Sequence, residues 1–202
     1  MKSFSYLTPH YFSIDDIFAT QERLPCKIMA PLPRLGFLDP SSDNVDLVEG
    51  LSVEFPLWLG LAMSSPRRYI ASVDIPKMYK EAYREILKAD PSVVDLHKLC
   101  LYFYQFGTYI SRLDHRESTA VGTILVQTFK DRFRQIMDWA QNSGTDPTAA
   151  QRLDSLEKML FREGHEAQKQ LDAWLNEGSG QITAADMVIN HKKRKRAALD
   201  DF

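Results

Sequence analysis

The chain has 202 residues, 44% of them hydrophobic and 26% charged, a composition that excludes a disordered chain and suits one domain of ordinary size with room for a small appendage. Two widely separated cysteines, Cys26 and Cys100, exclude a disulfide framework or a paired-cysteine zinc site and fit a reducing compartment, and no apolar run reaches the roughly 18 residues of a membrane span. Net charge is −2, but residues 1–60 carry four basic against eight acidic side chains, which argues against phosphate binding by the front of the chain.

The N-terminus lacks the charged, apolar and small-residue order of a signal peptide, so the expected address is cytosol or nucleus. Up to residue 60 the prolines cluster, at Pro25, Pro31, Pro33, Pro40 and Pro56. Proline lacks an N–H and disfavours helix in the residue before it, so this part predicts short strands and turns. One short helix starts after Ser13, with Asp16 at the third position of a capping box. Leu24 to Met29 and Leu35 to Leu38 are predicted strands, and Asp39 to Glu49 an exposed acidic loop. Leu57, Trp58, Leu61 and Ala62 suit a short helix packing this module onto the rest.

Beyond residue 70 the period turns helical. Asp74 is the expected N-cap of a helix whose apolar face is Ile75, Met78, Tyr79, Ala82, Tyr83, Ile86 and Leu87. Asp90–Pro91 pairs a cap with a first-turn proline and predicts a central helix to Ile110, apolar over much of its girth. Gly107 inside it signals a close neighbour or the helix end. The next helix runs from Thr119 to Gln141, its apolar positions from Val121 to Ala140 spaced three and four apart. Asn142 to Thr145 breaks it, and Asp146–Pro147 starts a helix from Thr148 to about Leu175, with Leu153, Leu156, Leu160, Ala167, Leu171 and Trp174 as its stripe. Gly178 to Gly180 ends it, and Thr183 with Asp186 caps a short helix leading into the tail.

Catalytic patterns are missing from the sequence. It carries no Gly-rich phosphate loop, nucleophile elbow or dinucleotide fingerprint, and its five histidines show no metal-ligand spacing, so no cofactor, metal or enzymatic activity is expected. Asp95 and His97 are two apart and point to different helix faces, and Asp114 to Glu117 reads as solvated charge between helices. Cys100 reads as buried filler. Phe129, Phe133 and Trp139 interleave with Lys130, Arg132 and Arg134 as a stacking platform would. However, Phe129 and Phe133 share the apolar face, which favours core or subunit contact.

The candidate partner interface is Val121, Leu125, Phe129, Phe133, Ile136, Leu153, Leu160 and Trp174 on the two longest helices. An antiparallel pair would bury one stripe between its members, and the remainder would need a partner chain. Lys192, Lys193, Arg194, Lys195 and Arg196 form a candidate nuclear localisation signal, with a nucleic-acid patch as the alternative.

Several segments together resemble the GINS complex subunit 3 family of eukaryotic DNA replication. They are Tyr11 to Ile17 (YFSIDDI), Leu24–Pro25, Pro33 to Gly36 (PRLG), Phe55 to Leu59 (FPLWL) and Val73 to Tyr79 (VDIPKMY). They continue with Ala89 to Lys98 (ADPSVVDLHK), Tyr104 to Gly107 (YQFG), Leu125 to Asp138 (LVQTFKDRFRQIMD) and Gln181 to Lys195 (QITAADMVINHKKRK). The resemblance implies a mainly α fold, with a bundle-like helical A domain over residues 61–190 preceded by a small β-rich B domain over 1–60. A basic and acidic tail over 191–202 follows. It further implies a non-catalytic subunit of a nuclear heterotetramer with three other GINS subunits. In that family GINS joins the MCM helicase ring and the Cdc factor in the CMG replicative helicase. A basic-tail DNA-binding module is the competing reading.

Overall fold

The computed structural model describes residues 12–39, 44–65, 69–142, 149–177, 187–188 and 190–191. Helix α1 (Ile14–Gln21) begins at Ser13, whose Oγ accepts the Asp16 backbone N–H, as the capping pattern predicts. Strand β1 (Arg23–Ile28) is the centre of an antiparallel sheet of order β2-β1-β3, flanked by β2 (Ser52–Pro56) and β3 (Ala71–Val73). Leu24 pairs with Phe55, and Cys26 lies opposite Val53 on one side and Val73 on the other. Leu24, Cys26, Ile28, Val53 and Phe55 alternate with outward residues along their strands and are buried, the period of a half-buried sheet. Helix α2 (Leu57–Met63) follows β2 directly and seals the buried face through Leu57.

One expectation for this region fails. Leu35 to Leu38 is not a strand: Arg34 takes a left-handed conformation (φ 62°), and Gly36–Leu38 closes into a single 3-10 turn. The third strand, β3, lies beyond residue 60 and joins the sheet from the helical side of the chain. One continuous core therefore runs from Leu24 and Phe55 through Tyr79 and Phe103 to Ile110 and Leu125. Asp16 accepts a 2.6 Å hydrogen bond from the Tyr109 hydroxyl, and Phe18 stacks on Tyr102, adding surface ties between the same regions.

The helix expected from Asp74 is two elements. Lys77–Tyr79 is a 3-10 turn, and α3 (Glu81–Ala89) restarts at Lys80. The restart shifts the helical phase, so Tyr83 and Ile86 face outward while Arg84 and Leu87 face the body. Arg84 satisfies the Tyr79 carbonyl and pairs with Glu117 at 2.7 Å. The predicted long helix from Pro91 is also broken. Asp90 turns onto the Ser92 N–H, Asp95 caps a short α4 (Leu96–Leu99), and α5 (Phe103–Ser111) begins anew. Gly107 lies where a neighbour comes close: a Cβ there would sit 2.7 Å from Leu125.

Helix α6 (Ser118–Gln141) appears as predicted, while α7 (Ser155–Glu177) begins later than Thr148, after a 3-10 turn at Ala149–Arg152. Residues Asp146 and Pro147 lie outside the described residues, as does the Thr183–Asp186 cap, although 187–188 and 190–191 are helical. Helices α6 and α7 are parallel, not antiparallel. Arg132 meets Glu157, and eight residues further on in both helices Ala140 meets His165, whose Nδ1 is 3.1 Å from the Ala140 carbonyl. Gly164 permits this approach, since a Cβ on it would lie 3.0 Å from that of Ala140.

A buried polar network fixes this arrangement. Arg132 and Glu157, 3% and 0% exposed, form a bidentate pair with Nε–Oε1 at 2.7 Å and Nη2–Oε2 at 2.9 Å. Arg132 Nη1 donates to the Pro91 and Val94 carbonyls, holding the turn before α4. The Tyr104 hydroxyl donates to Glu157 from α5. Asp154, fully buried, accepts the Phe103 N–H at 2.6 Å and the Leu156 N–H at 3.0 Å. The Ser155 N–H donates to the Leu101 carbonyl, so the start of α7 occupies the gap between α4 and α5. That is why the helix from Pro91 to Ile110 is interrupted: the Leu101 carbonyl and the Phe103 N–H bond across to Ser155 and Asp154 instead of along a helix.

Two outcomes follow. Removing one partner of a buried pair strands the other charge, so Arg132→Met and Glu157→Leu should each cost about 3–5 kcal/mol in urea unfolding. The double variant should cost much less than the sum, and additive costs would contradict the coupling. The second concerns pH. Burial pushes the Asp154 carboxyl up to about 7. A carboxyl with a raised folded pKa stabilises most while protonated, and this contribution fades as pH rises through the folded value. The stability advantage of the wild type over Asp154→Asn should therefore shrink between pH 5 and pH 8, and an advantage that grows with pH would contradict it.

Candidate interaction surfaces

Titratable groups are the first place to look for a site. Burial pushes the Cys26 thiol up to about 11 and the Cys100 thiol to about 12, so both are inert as nucleophiles. Burial, followed by the neighbouring Glu157 carboxylate, raises Tyr104 well above the ordinary phenol. A shifted pKa marks a catalytic group when a cleft admits substrate, and Asp154 and Tyr104 are instead packed in the interior. Asp95 is spent capping α4, and Glu117 pairs with Arg84. Among the described residues no group of three or more His, Cys, Asp or Glu side chains is placed to hold a metal ion.

The exposed apolar side chains are organised. At 100° per residue, Val126, Phe129, Phe133 and Met137 follow one flank of α6, spaced three, four and four apart. Phe133 is 42% exposed and Val126 56%. Phe129 packs edge-on to Tyr104 and lies 5.7 Å from the Phe133 ring, so this seam rises from the core into solvent. Leu156, Leu160, Ala167, Leu171 and Trp174 follow the adjoining flank of α7. Because α7 is parallel to α6 and offset along it, residues beyond about Glu166 run on past the end of α6, by about 17 Å at 1.5 Å per residue. Every side chain from Leu171 to Asn176 is exposed, with Trp174 at 59%.

The predicted interface residues therefore separate into two groups. Val121, Leu125, Ile136 and Leu153 are buried in the chain's own interior, the first three because α3, α5 and α7 already cover that face of α6. Phe129 and Leu160 are half-buried, and Phe133 and Trp174 stand exposed on the open flank. Sequence periodicity finds apolar positions but cannot tell which neighbour covers them. Val126, Leu171 and Leu175 were not among the interface candidates, although Val126 stands seven residues before Phe133 on the same flank. A further exposed group, Phe12, Ile14, Ile17 and Phe18, lies on and before α1. The basic run Lys192 to Arg196 lies outside the described residues.

Comparison with known proteins places this geometry. Residues 12–64 match the PSF3 N-terminal domain, and residues 78–176 match the GINS complex protein helical bundle domain. The DNA replication complex GINS protein PSF3 of Xenopus laevis is 40% identical over 188 residues, covering 92% of this chain and 90% of that one. Its counterpart in Homo sapiens is 40% identical over 200 residues, covering 95% and 92%. The Aspergillus fumigatus protein is 31% identical over 175 residues, covering 83% and 97%. With both segments matched in order and identity sustained along nearly its whole length, the chain belongs to the PSF3 family of DNA replication GINS complex proteins.

Proposed function

We propose that this protein is a non-catalytic structural subunit of a GINS heterotetramer, and that through it the chain supports the CMG replicative helicase in initiation and elongation of DNA replication. Its direct partners are the three other GINS subunits, and the MCM ring and the Cdc factor join at the level of the whole assembly. The observation carrying this reading is the apolar flank of the parallel pair α6 and α7. Phe133, Val126, Leu171 and Trp174 are exposed along one flank, and α7 outruns the end of α6. Exposed apolar surface organised in this way marks a protein–protein site, and large aromatics dominate such sites. Inert thiols and perturbed groups sealed in the interior support a scaffold over an enzyme.

Co-expression with the three other GINS subunits tests the reading. Phe133→Asp and Trp174→Asp should abolish assembly on size-exclusion chromatography while circular dichroism retains the helix content. Val121→Asp, whose site is 0% exposed, should unfold the chain instead. A wild-type chain that stays monomeric and indifferent to the partners would contradict the proposal.

The run Lys192 to Arg196 serves nuclear import in this reading, as a compact cationic stretch suited to a receptor's acidic groove. A monomeric fluorescent reporter fused to residues 187–202 should enter the nucleus, and its five-alanine version should not. Direct DNA contact by the tail predicts instead a steeply salt-dependent affinity for duplex DNA that the same replacement removes.

A further inference from the structure

The flank of the α6–α7 pair opposite the apolar seam carries a different surface. A groove of about 1110 Å³ lies between α4, the end of α6, the 3-10 turn at Ala149–Arg152 and the start of α7. Its apolar lining comes from Leu101, Trp139 and Phe161. Four cations, Lys98, Arg152, Lys158 and Arg162, surround that lining, against one carboxylate, Asp95. Asp95 pairs loosely with Lys98 at 3.5 Å, and its other oxygen caps α4. Arg152, Lys158 and Arg162 take part in none of the ion pairs among the described residues. This concentration of positive charge sits on a chain of net charge −2.

The cations are also placed against local electrostatics. Lys158 and Arg162 are four apart on one helix, where like charges repel. Lys158 lies in the first turn of α7, at the positive end of the helix dipole. An anionic occupant would relieve both, and an apolar lining inside a cationic rim asks that the occupant also carry a large apolar side chain. We infer that this groove is a docking site for an acidic peptide segment of a partner protein. In it a Leu, Phe or Trp of the segment rests on Leu101, Trp139 and Phe161, and flanking carboxylates meet Arg152, Lys158 and Arg162.

A single-stranded nucleic acid fits less well. Base stacking needs free aromatic faces, but Phe161 is already stacked on His165 with centroids 6.0 Å apart and planes 4° from parallel. Asp95 in the lining would also repel a phosphate chain. The site goes beyond the scaffold reading, since it is angularly separate from the Phe133 and Trp174 seam. Trp139 and Phe133 point about 120° apart on α6, so both surfaces can be engaged at once.

The test uses the assembled complex of this chain with the three other GINS subunits. The probes are fluorescein-labelled peptides of about twelve residues, rich in Asp and Glu, each with one central Leu, Phe or Trp. An all-Ala centre, a Lys-for-Glu set and an oligo-dT strand of similar length serve as comparison arms. At least one acidic peptide with an apolar centre should bind, and the Ala-centred and Lys sets should not. The triple variant Arg152→Glu, Lys158→Glu, Arg162→Glu should weaken binding at least about tenfold. Arg162→Ala alone, a milder change at an exposed side chain, should weaken it in the same direction. Normal assembly of these variants separates this result from failure of the scaffold proposal. Absence of binding by every acidic peptide, preference for oligo-dT, or loss of assembly in Arg162→Ala, which would make the groove a subunit contact, each overturns the inference.

Discussion

The bidentate contact between Arg132 and Glu157 is the constraint around which the helical part is arranged. A guanidinium and a carboxylate this deeply buried must satisfy nearly all of their hydrogen-bonding capacity, because desolvation costs several kcal/mol per ion. Arg132 therefore recruits the Pro91 and Val94 carbonyls, and Glu157 recruits Tyr104 and the Asp154 N–H. Each partner brings a different segment: the turn before α4, helix α5 and the entry to α7. The pair is an expensive way to stabilise a core, but it specifies one register between α6 and α7.

That register has consequences for the surface. Two helices aligned from Arg132–Glu157 to Ala140–His165 leave the last part of α7 without a companion helix among the described residues. They also present two unlike flanks. One carries Val126, Phe133, Leu171 and Trp174, and the other carries Trp139, Phe161, Lys158 and Arg162. Exposed apolar side chains on one flank are what a protein–protein contact uses, and the proposed contact with GINS subunits rests on that flank.

Local rules were legible in the sequence. The Ser13 cap, the β1 strand, the short helix after Pro56 and the span of α6 follow from capping chemistry and apolar period. The close approach at Gly107 was also signalled. What escaped was set by distant groups. The break after Leu99 depends on Asp154, fifty-one residues from its partner Phe103. The phase of α3 was lost because a 3-10 turn ending at Tyr79 resets the helix. Strand β3, three residues long, carries too short an alternation to be read without its neighbour β1. Arg132 in the middle of an apolar stripe was the one visible sign of the buried pair, and Glu157 beside Leu156 was its counterpart. For the interface, periodicity found the apolar positions of α6 and α7, but separating Val121 from Phe133 required knowing which helices cover α6.

Backbone amide exchange, recorded on this chain alone and in complex with the three other GINS subunits, tests the central claim most directly. The claim is that the uncovered flank of α6 and the free end of α7 are where the chain meets its partners. Amides from about residue 167 to residue 177 lie on a helix end that runs past α6, where the side chains from Leu171 to Asn176 are exposed, so they should exchange fast in the free chain and slow markedly on assembly. Amides of α5 and of the sheet should change little. Equal protection of the α7 end in both states, or new protection confined to residues outside α6 and α7, would contradict the account.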